Sequence, residues 1–95
     1  MMTYKLKFLP AALKEWEKLA PPIRSQFKKK LAERLSEPRV PSAKLRGYEN
    51  VYKIKLRTAG YRLAYEIVEQ ELVVYVLAVG KREKGAIYKK LERRI

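Results

Sequence analysis

The sequence predicts a small α+β domain in the order β-α-α-β-β-β-α, with an antiparallel sheet packed on an N-terminal helical hairpin. Three observations predict it. Residues 51–67, VYKIKLRTAGYRLAYEI, alternate apolar and polar side chains on both sides of an Ala59-Gly60 turn, the pattern of a β-hairpin. Two stretches with helical spacing precede it, divided by Pro21-Pro22. An almost wholly apolar run, Leu72 to Val79, follows it and reads as a central strand covered on both faces.

The elements follow in order. Tyr4, Leu6 and Phe8 alternate with Lys5 and Lys7, which predicts a half-buried strand near a sheet edge. Pro10 suits a first helical turn, and Leu9, Leu13, Trp16 and Ala20 fall on one stripe. In the second helix Ile23, Phe27, Leu31 and Leu35 recur at every fourth position, and Glu37-Pro38 stops it. The short link between the helices implies an antiparallel pair. Residues 38–50 read as a loop carrying Arg39, Lys44 and Arg46. After the hairpin, Glu69-Gln70-Glu71 is a polar turn, Gly80 ends the central strand, and Lys81-Arg82-Glu83-Lys84 is a charged connection. Ile87, Leu91 and Ile95 mark a final helix whose exterior carries Lys89, Lys90, Arg93 and Arg94. No repeat or linker divides the chain, so residues 1–95 are expected to form a single domain with one core.

Within the hairpin, Tyr52, Ile54 and Leu56 face one way, with Tyr61, Leu63, Tyr65 and Ile67 on the same side. A two-residue loop at Ala59-Gly60 would set Arg57 against Arg62, Lys55 against Ala64 and Lys53 against Glu66. The opposite face then carries Lys53, Lys55, Arg57 and Arg62 around Ala64, a small residue that leaves room beside them. Like charges facing one another destabilise a hairpin, so a chain that keeps them uses them to hold an anion. A lysine or arginine row on a strand is more commonly a solvated face, and Lys28-Lys29-Lys30 reads that way on its helix. Tyr52, Tyr61 and Tyr65 read as core. Tyr88 either flanks the core or faces the groove.

Composition restricts the partner. The formal charge is +13 with a sequence pI of about 10.1, a balance that favours nucleic acid or another polyanion. The chain has no cysteine and no histidine, and its ten acidic residues are all Glu and scattered. No disulfide, thiolate chemistry, metal site or other cofactor is expected. There is no apolar run long enough for a membrane span, and a cytoplasmic protein is expected. RNA can be cut without metal if a group takes the 2′-hydroxyl proton, cations stabilise the phosphorane, and the departing 5′-oxygen gains a proton. A lysine crowded by Lys55, Arg57 and Arg62 loses its charged form more readily. Arginine offers a fixed fork for phosphate oxygens, and tyrosine a face for an unpaired base.

KLRG at 44–47, YKIKLR at 52–57, GYRLAY at 60–65 and VGKRE at 79–83, followed by Tyr88, resemble the RelE family of bacterial toxins. ALKEWEKL at 12–19 and the lysine-rich second helix fit as well, so the resemblance covers essentially the whole chain. It implies the toxin of a type II toxin–antitoxin pair, a metal-independent endoribonuclease that enters the ribosomal A site and cuts mRNA there, leaving a 2′,3′-cyclic phosphate. It also implies a partner, a RelB-like antitoxin, small and acidic or amphipathic. By the resemblance Lys53 is the general base, Arg82 the general acid, Lys55 and Arg62 the transition-state stabilisers, and Tyr88 the residue that stacks on the codon. Arg46 is a further basic residue near the site. Arg57, Lys81 and the row Lys28, Lys29 and Lys30 are expected to hold RNA or ribosome. Two other readings are a toxin of the same fold acting on DNA gyrase, as the ParE relatives do, and a non-catalytic basic RNA-binding protein.

Overall fold

The structure is a computed structural model that describes residues 3–83 and 85–94; Lys84 and Ile95, assigned above to the charged connection and the last helix, lie outside them. The elements are β1 (Lys5–Phe8), α1 (Pro10–Glu17), α2 (Pro21–Ser36), β2 (Val51–Leu56), β3 (Tyr61–Val68), β4 (Val73–Lys81) and α3 (Ala86–Arg94), with short 3-10 turns at Pro41–Ala43 and Glu69–Glu71. The four strands form one sheet in the order β1-β4-β3-β2. β2, β3 and β4 are an antiparallel meander, as the pattern predicts. β1 joins in parallel to β4, pairing Lys5 with Val73 and Phe8 with Val76, so the sheet is mixed rather than wholly antiparallel.

Each face of the sheet carries its own core. On one face α1 and α2 cover Ile54, Leu63, Tyr65, Ile67, Val74 and Val76. Phe27 and Leu31 are buried there with the α2 row as predicted, and Trp16 bridges Phe8 and Phe27 at ring separations of 5.2 and 6.2 Å. On α1 the buried position is Ala12. Leu13, placed on the inner stripe by its spacing, is 41% exposed. The helix has only eight residues and its inner face is set by Ala12 and Trp16, one position round from the Leu9–Leu13 row. On the other face α3 packs Ile87 and Leu91 against Leu45, Val51, Ala64, Leu77 and Ala78.

A bulge makes the second core possible. The β3–β4 register shifts between Ala64 and Tyr65, where Ala64 opposes Ala78 and Tyr65 opposes Val76. Leu77 is the extra residue, and it joins Ala78 on the α3 side while Val76 and Val79 stay on the other. Leu72 adopts φ 54, a left-handed turn that holds it out of β4, and the strand runs through Gly80 to Lys81 instead of ending at the glycine.

The hairpin register also differs from the predicted one. The turn is four residues, Arg57 to Gly60, closed by Gly60 N–H donating to Leu56 O at 2.8 Å. Tight two-residue turns of type I′ need positive φ at both central positions, and here Gly60 has φ 73 while Ala59 does not reach that region. Lys55 therefore faces Arg62, Lys53 faces Ala64, and Glu66 faces Val51 rather than Lys53. Both loop lengths are even, so the apolar and polar faces are the ones predicted.

Past Val76, β4 has no β1 neighbour, and side chains complete its backbone. Glu15 accepts from Val79 N–H at 3.1 Å, Lys90 donates to Val79 O at 2.9 Å, and Arg94 donates to Leu77 O at 2.8 Å. Glu15 also pairs with Lys90 at 2.7 Å and Arg94 at 2.9 Å, so α1 and α3 are clasped across the strand. Lys90 and Arg94 are thus half-buried against β4 rather than on the free exterior of the helix. Burial would raise the Glu15 pKa, but hydrogen bonds from Arg94, Lys90 and the Val79 amide outweigh it and leave the carboxyl below its ordinary value.

A depressed carboxylate stabilises the fold above its unfolded pKa and loses that contribution as pH falls through the folded pKa. Glu15→Gln is expected to cost about 1–3 kcal/mol at neutral pH, which for 95 residues lowers Tm by roughly 5–20 °C. Thermal melts of both proteins across pH 3–7 (roughly the carboxylate range and above) check this. The two curves should converge at the acid end, and a gap independent of pH would rule out the ion pairs as its source.

Candidate active site

The basic face lies where β2, β3 and the end of β4 meet beside α3. Alternation puts Lys53 and Lys55 on one side of β2, and Arg62 opposite Lys55 on β3. Arg62 has Gly80 as its other neighbour, across on β4. A Cβ at Gly80 would come within 2.6 Å of Lys90 Nζ, so glycine there leaves the path by which α3 reaches the strand. Arg82 is exposed, and its N–H donates to Gly60 O at 2.7 Å, which ties the segment after β4 to the hairpin turn. Ala64 does not open space beside the cations. It is fully buried beneath α3, because the second core fills that part of the face.

The four cations crowd one another. Lys53, chiefly, then burial, Arg62 and Arg82 push the Lys55 amine below the ordinary lysine range. The sequence led us to expect cations crowding one another on this face, and the register sets Arg62 directly opposite Lys55. Arg62 Nε is cut off from water and has no hydrogen-bond partner among the described residues. A buried donor without an acceptor costs about 1–3 kcal/mol, so an acceptor brought against Arg62 would be favoured there.

Aromatic residues border the cations. Tyr88 is half-buried on α3 against the second core, and its ring stacks on Tyr48 with centroids 6.5 Å apart and planes at 30°. Tyr52 and Tyr65 are core residues, stacked at 5.9 Å, and Tyr61 is half-buried beside them. Arg46 is exposed in the turn leading to Tyr48. Lys28, Lys29 and Lys30 are exposed on α2, and Lys30 alone of the three lines the cavity at the β2 edge, with Lys53, Lys55 and Arg57. Arg57 has left the ladder for the hairpin turn, and Lys81 is exposed at the end of β4. The fold therefore gathers Lys53, Lys55, Arg62 and Arg82, with Tyr88 on the same side of the sheet, and leaves Lys28 and Lys29 apart from them.

Two structural supports escaped sequence reasoning. Arg34 donates to Lys53 O at 3.2 Å and to Tyr65 OH at 2.8 Å, fixing β2 to α2. Tyr48 backs Tyr88. Arg34 lies off the apolar row of α2, and a basic residue there carries no signal distinguishing it from its solvated neighbours. Among the described residues no helix is long and apolar enough to cross a membrane.

Fold and site together define a small basic α+β domain whose sheet presents a cationic face flanked by aromatic rings. Residues 6–85 match the family described as the ParE toxin of the type II toxin–antitoxin system parDE. The mRNA interferase toxin RelE of Escherichia coli strain K12 is 50% identical over 94 residues, covering 99% of each chain. The structure of a mutant E. coli RelE in the free state superposes with a TM-score of 0.90 at 47% identity, over 99% of this chain and 100% of that one. RelE in the intact E. coli RelBE toxin–antitoxin complex gives 0.82 at 52% identity, over 84% and 98%. The chain belongs to the RelE/ParE family of toxins from type II toxin–antitoxin systems, as its motifs led us to expect.

Nuclear magnetic resonance titration of the lysine side-chain amines tests the electrostatics of the face. Lys55 should titrate below the ordinary value of about 10.4. Lys53→Met should raise its midpoint most, Arg62→Gln less, and Arg82→Gln least. A Lys55 midpoint at or above the ordinary value would show that the cations are too well solvated to interact.

Proposed function

We propose that this chain is the toxin of a type II pair and cuts mRNA in the ribosomal A site, acting in the cytoplasm as one toxin domain over residues 1–95. The observation that carries the reading is the desolvated, unpartnered Nε of Arg62 beside Lys55, on a face without carboxylates among the salt bridges of the described residues. The full-length identity with a protein named mRNA interferase supports RNA as the substrate. The family description alone also covers ParE toxins, for which the same-fold action on DNA gyrase is the second reading; the Lys53/Lys55/Arg62/Arg82/Tyr88 set favours RNA.

The chemistry follows from the face. By the family resemblance the neutral form of Lys53 accepts the 2′-hydroxyl proton, and the Lys55 amine beside it is held below the ordinary lysine range chiefly by that neighbour. The 2′-oxygen attacks phosphorus. Arg62 and the remaining ammonium hold the non-bridging oxygens as charge develops. The bond to the 5′-oxygen breaks, leaving a 2′,3′-cyclic phosphate. Arg82, exposed beside the hairpin turn, is by the family resemblance the general acid that donates to the departing 5′-oxygen. Tyr88, backed by Tyr48, stacks on a base and orients the strand. Arg46, Lys81 and the α2 lysines hold RNA by charge. The partner is a RelB-like antitoxin, by analogy with the RelBE complex.

Cleavage rate measured against ribosome concentration separates chemistry from docking. Wild-type protein should cut A-site mRNA and leave free RNA essentially intact; efficient cutting of naked RNA would sink the ribosome reading. Arg62→Ala should lower the plateau rate by a factor on the order of 100 or more with little change in half-saturation. Neutralising Lys28, Lys29 and Lys30 together should raise half-saturation in a salt-dependent manner and spare the plateau. An Arg62→Ala curve that kept its plateau would make the face a docking surface.

The antitoxin is tested by co-expression. A neighbouring gene for a small acidic or amphipathic protein should abolish growth arrest by this chain, and arrest that persists despite complex formation would contradict neutralisation by binding.

A further inference from the structure

A second cationic site lies at the outer edge of β2, on the flank turned toward α2, past the point where Lys44 bridges Tyr52. The strand order leaves β2 outermost. Its ladder with β3 uses alternate residues, so Val51, Lys53 and Lys55 turn their backbone groups outward. Val51 O is taken by Leu45 N–H at 2.9 Å, and Lys53 O by Arg34 at 3.2 Å. The N–H of Lys55 is next in that series. Lys55 lines a cavity of about 350 Å³ together with Lys30, Arg34, Ser42, Lys53 and Arg57, with no carboxylate in its wall.

Arg34 sets the character of this cavity. One of its terminal nitrogens is committed to Lys53 O and Tyr65 OH, and Tyr65 OH donates onward to Pro38 O at 2.7 Å. Among the described residues no carboxylate pairs with the guanidinium, and no hydrogen bond occupies Nε or the other terminal nitrogen. A half-buried fork held from one side, with two free donors, a serine and exposed cations at the rim, matches a tetrahedral oxyanion. Lys53 and Lys55 belong to both sites, since they rise from the one strand that separates them.

We propose that the cavity binds a non-scissile backbone phosphate of the RNA strand whose reacting phosphate lies at Lys55 and Arg62, so that the strand wraps over the β2 edge. This rests on the RNA reading above and adds a second anchoring point, with Arg34, Ser42, Lys30 and Arg57 as its contacts. Two fixed phosphates restrict the strand between them, which favours in-line geometry at the scissile one.

The test uses isotope-labelled full-length protein, titrated at constant ionic strength with a 2′-O-methyl hexanucleotide, which cannot be cut, and separately with inorganic phosphate. The oligonucleotide should move the Lys55 and Ser42 amides and the Arg34 Nε resonance together with those of Arg62 and Tyr88. In the double variant Lys30→Gln, Arg57→Gln, the cavity signals should need roughly fivefold more oligonucleotide or greater, with Arg62 still responding. Arg34→Lys, which keeps the charge but not the fork, should abolish the Ser42 response in a protein whose remaining spectrum is unchanged. Oligonucleotide shifts confined to Arg62, Arg82 and Tyr88 would overturn the proposal, as would a cavity that answers inorganic phosphate alone. Either result leaves A-site cleavage standing, because that is read from ribosomes and not from this titration.

Discussion

The central strand is left incomplete beyond Val76, and the way its backbone is finished governs the rest of the molecule. β1 supplies partners only up to Val76, and an exposed row of amide groups there would invite pairing with another chain. One carboxylate, Glu15, takes the Val79 amide and draws in two cations, Lys90 and Arg94, that take the neighbouring carbonyls. The outcome is an α3 fixed by polar contacts at one side and by Ile87 and Leu91 at the other. The small residues beneath it, Ala64 and Ala78, let the helix approach, and the bulge at Leu77 turns one more apolar group toward it. Tyr88 is therefore positioned by a network that begins on α1. Stability and function share this link, since the helix bearing the stacking tyrosine is held by the clasp.

Charge is distributed to the same end. The paired acids of the described residues have partners other than Lys53, Lys55 and Arg62: Glu15 serves the clasp, and Glu69 joins Arg39 and Tyr4. Lys53, Lys55 and Arg62 are left with one another. That arrangement costs stability, because the charges repel and Arg62 Nε is dry. The cost is tolerated because two separate cores, with Tyr65, Phe27, Leu63 and Leu91 fully buried, supply the hydrophobic stabilisation. A phosphate would relieve both defects at once, which makes the face complementary to a group it meets only in the bound state.

Periodicity made most of the fold legible, because the helices and the hairpin each bury one face and leave the other in water. The α2 row, the tyrosine core and the cationic face all follow from that contrast. It fails where both faces are buried. In VVYVLAVG every position is apolar or nearly so, and no parity break announces the bulge at Leu77. It fails also for short elements: α1 turns barely twice, so Leu13 and Ala12 compete for one stripe and the contacts of Trp16 decide. Glu15, Arg34, Lys90 and Arg94 were hidden for a different reason. Their partners are backbone groups whose availability depends on where β1 stops and β2 lies, and no side-chain pattern encodes that.

The hairpin turn shows how a local conformational rule sets a site. With a two-residue loop Arg57 would face Arg62 in the ladder, and Lys55 would oppose Ala64. The four-residue turn removes Arg57 from the strand, brings Lys55 against Arg62, and places Lys53 beside Ala64, where the second core begins. Gly60 makes this possible by taking φ 73 and closing on Leu56 O. Its own carbonyl then accepts the Arg82 N–H, so the one turn that fixes the Lys55–Arg62 pair also fixes the chain carrying the next cation. Arg57, released from the ladder, lines the cavity at the β2 edge. A shift of two residues keeps every side chain on its face and yet decides which cations meet, so the face was readable from alternation while its geometry depended on the turn.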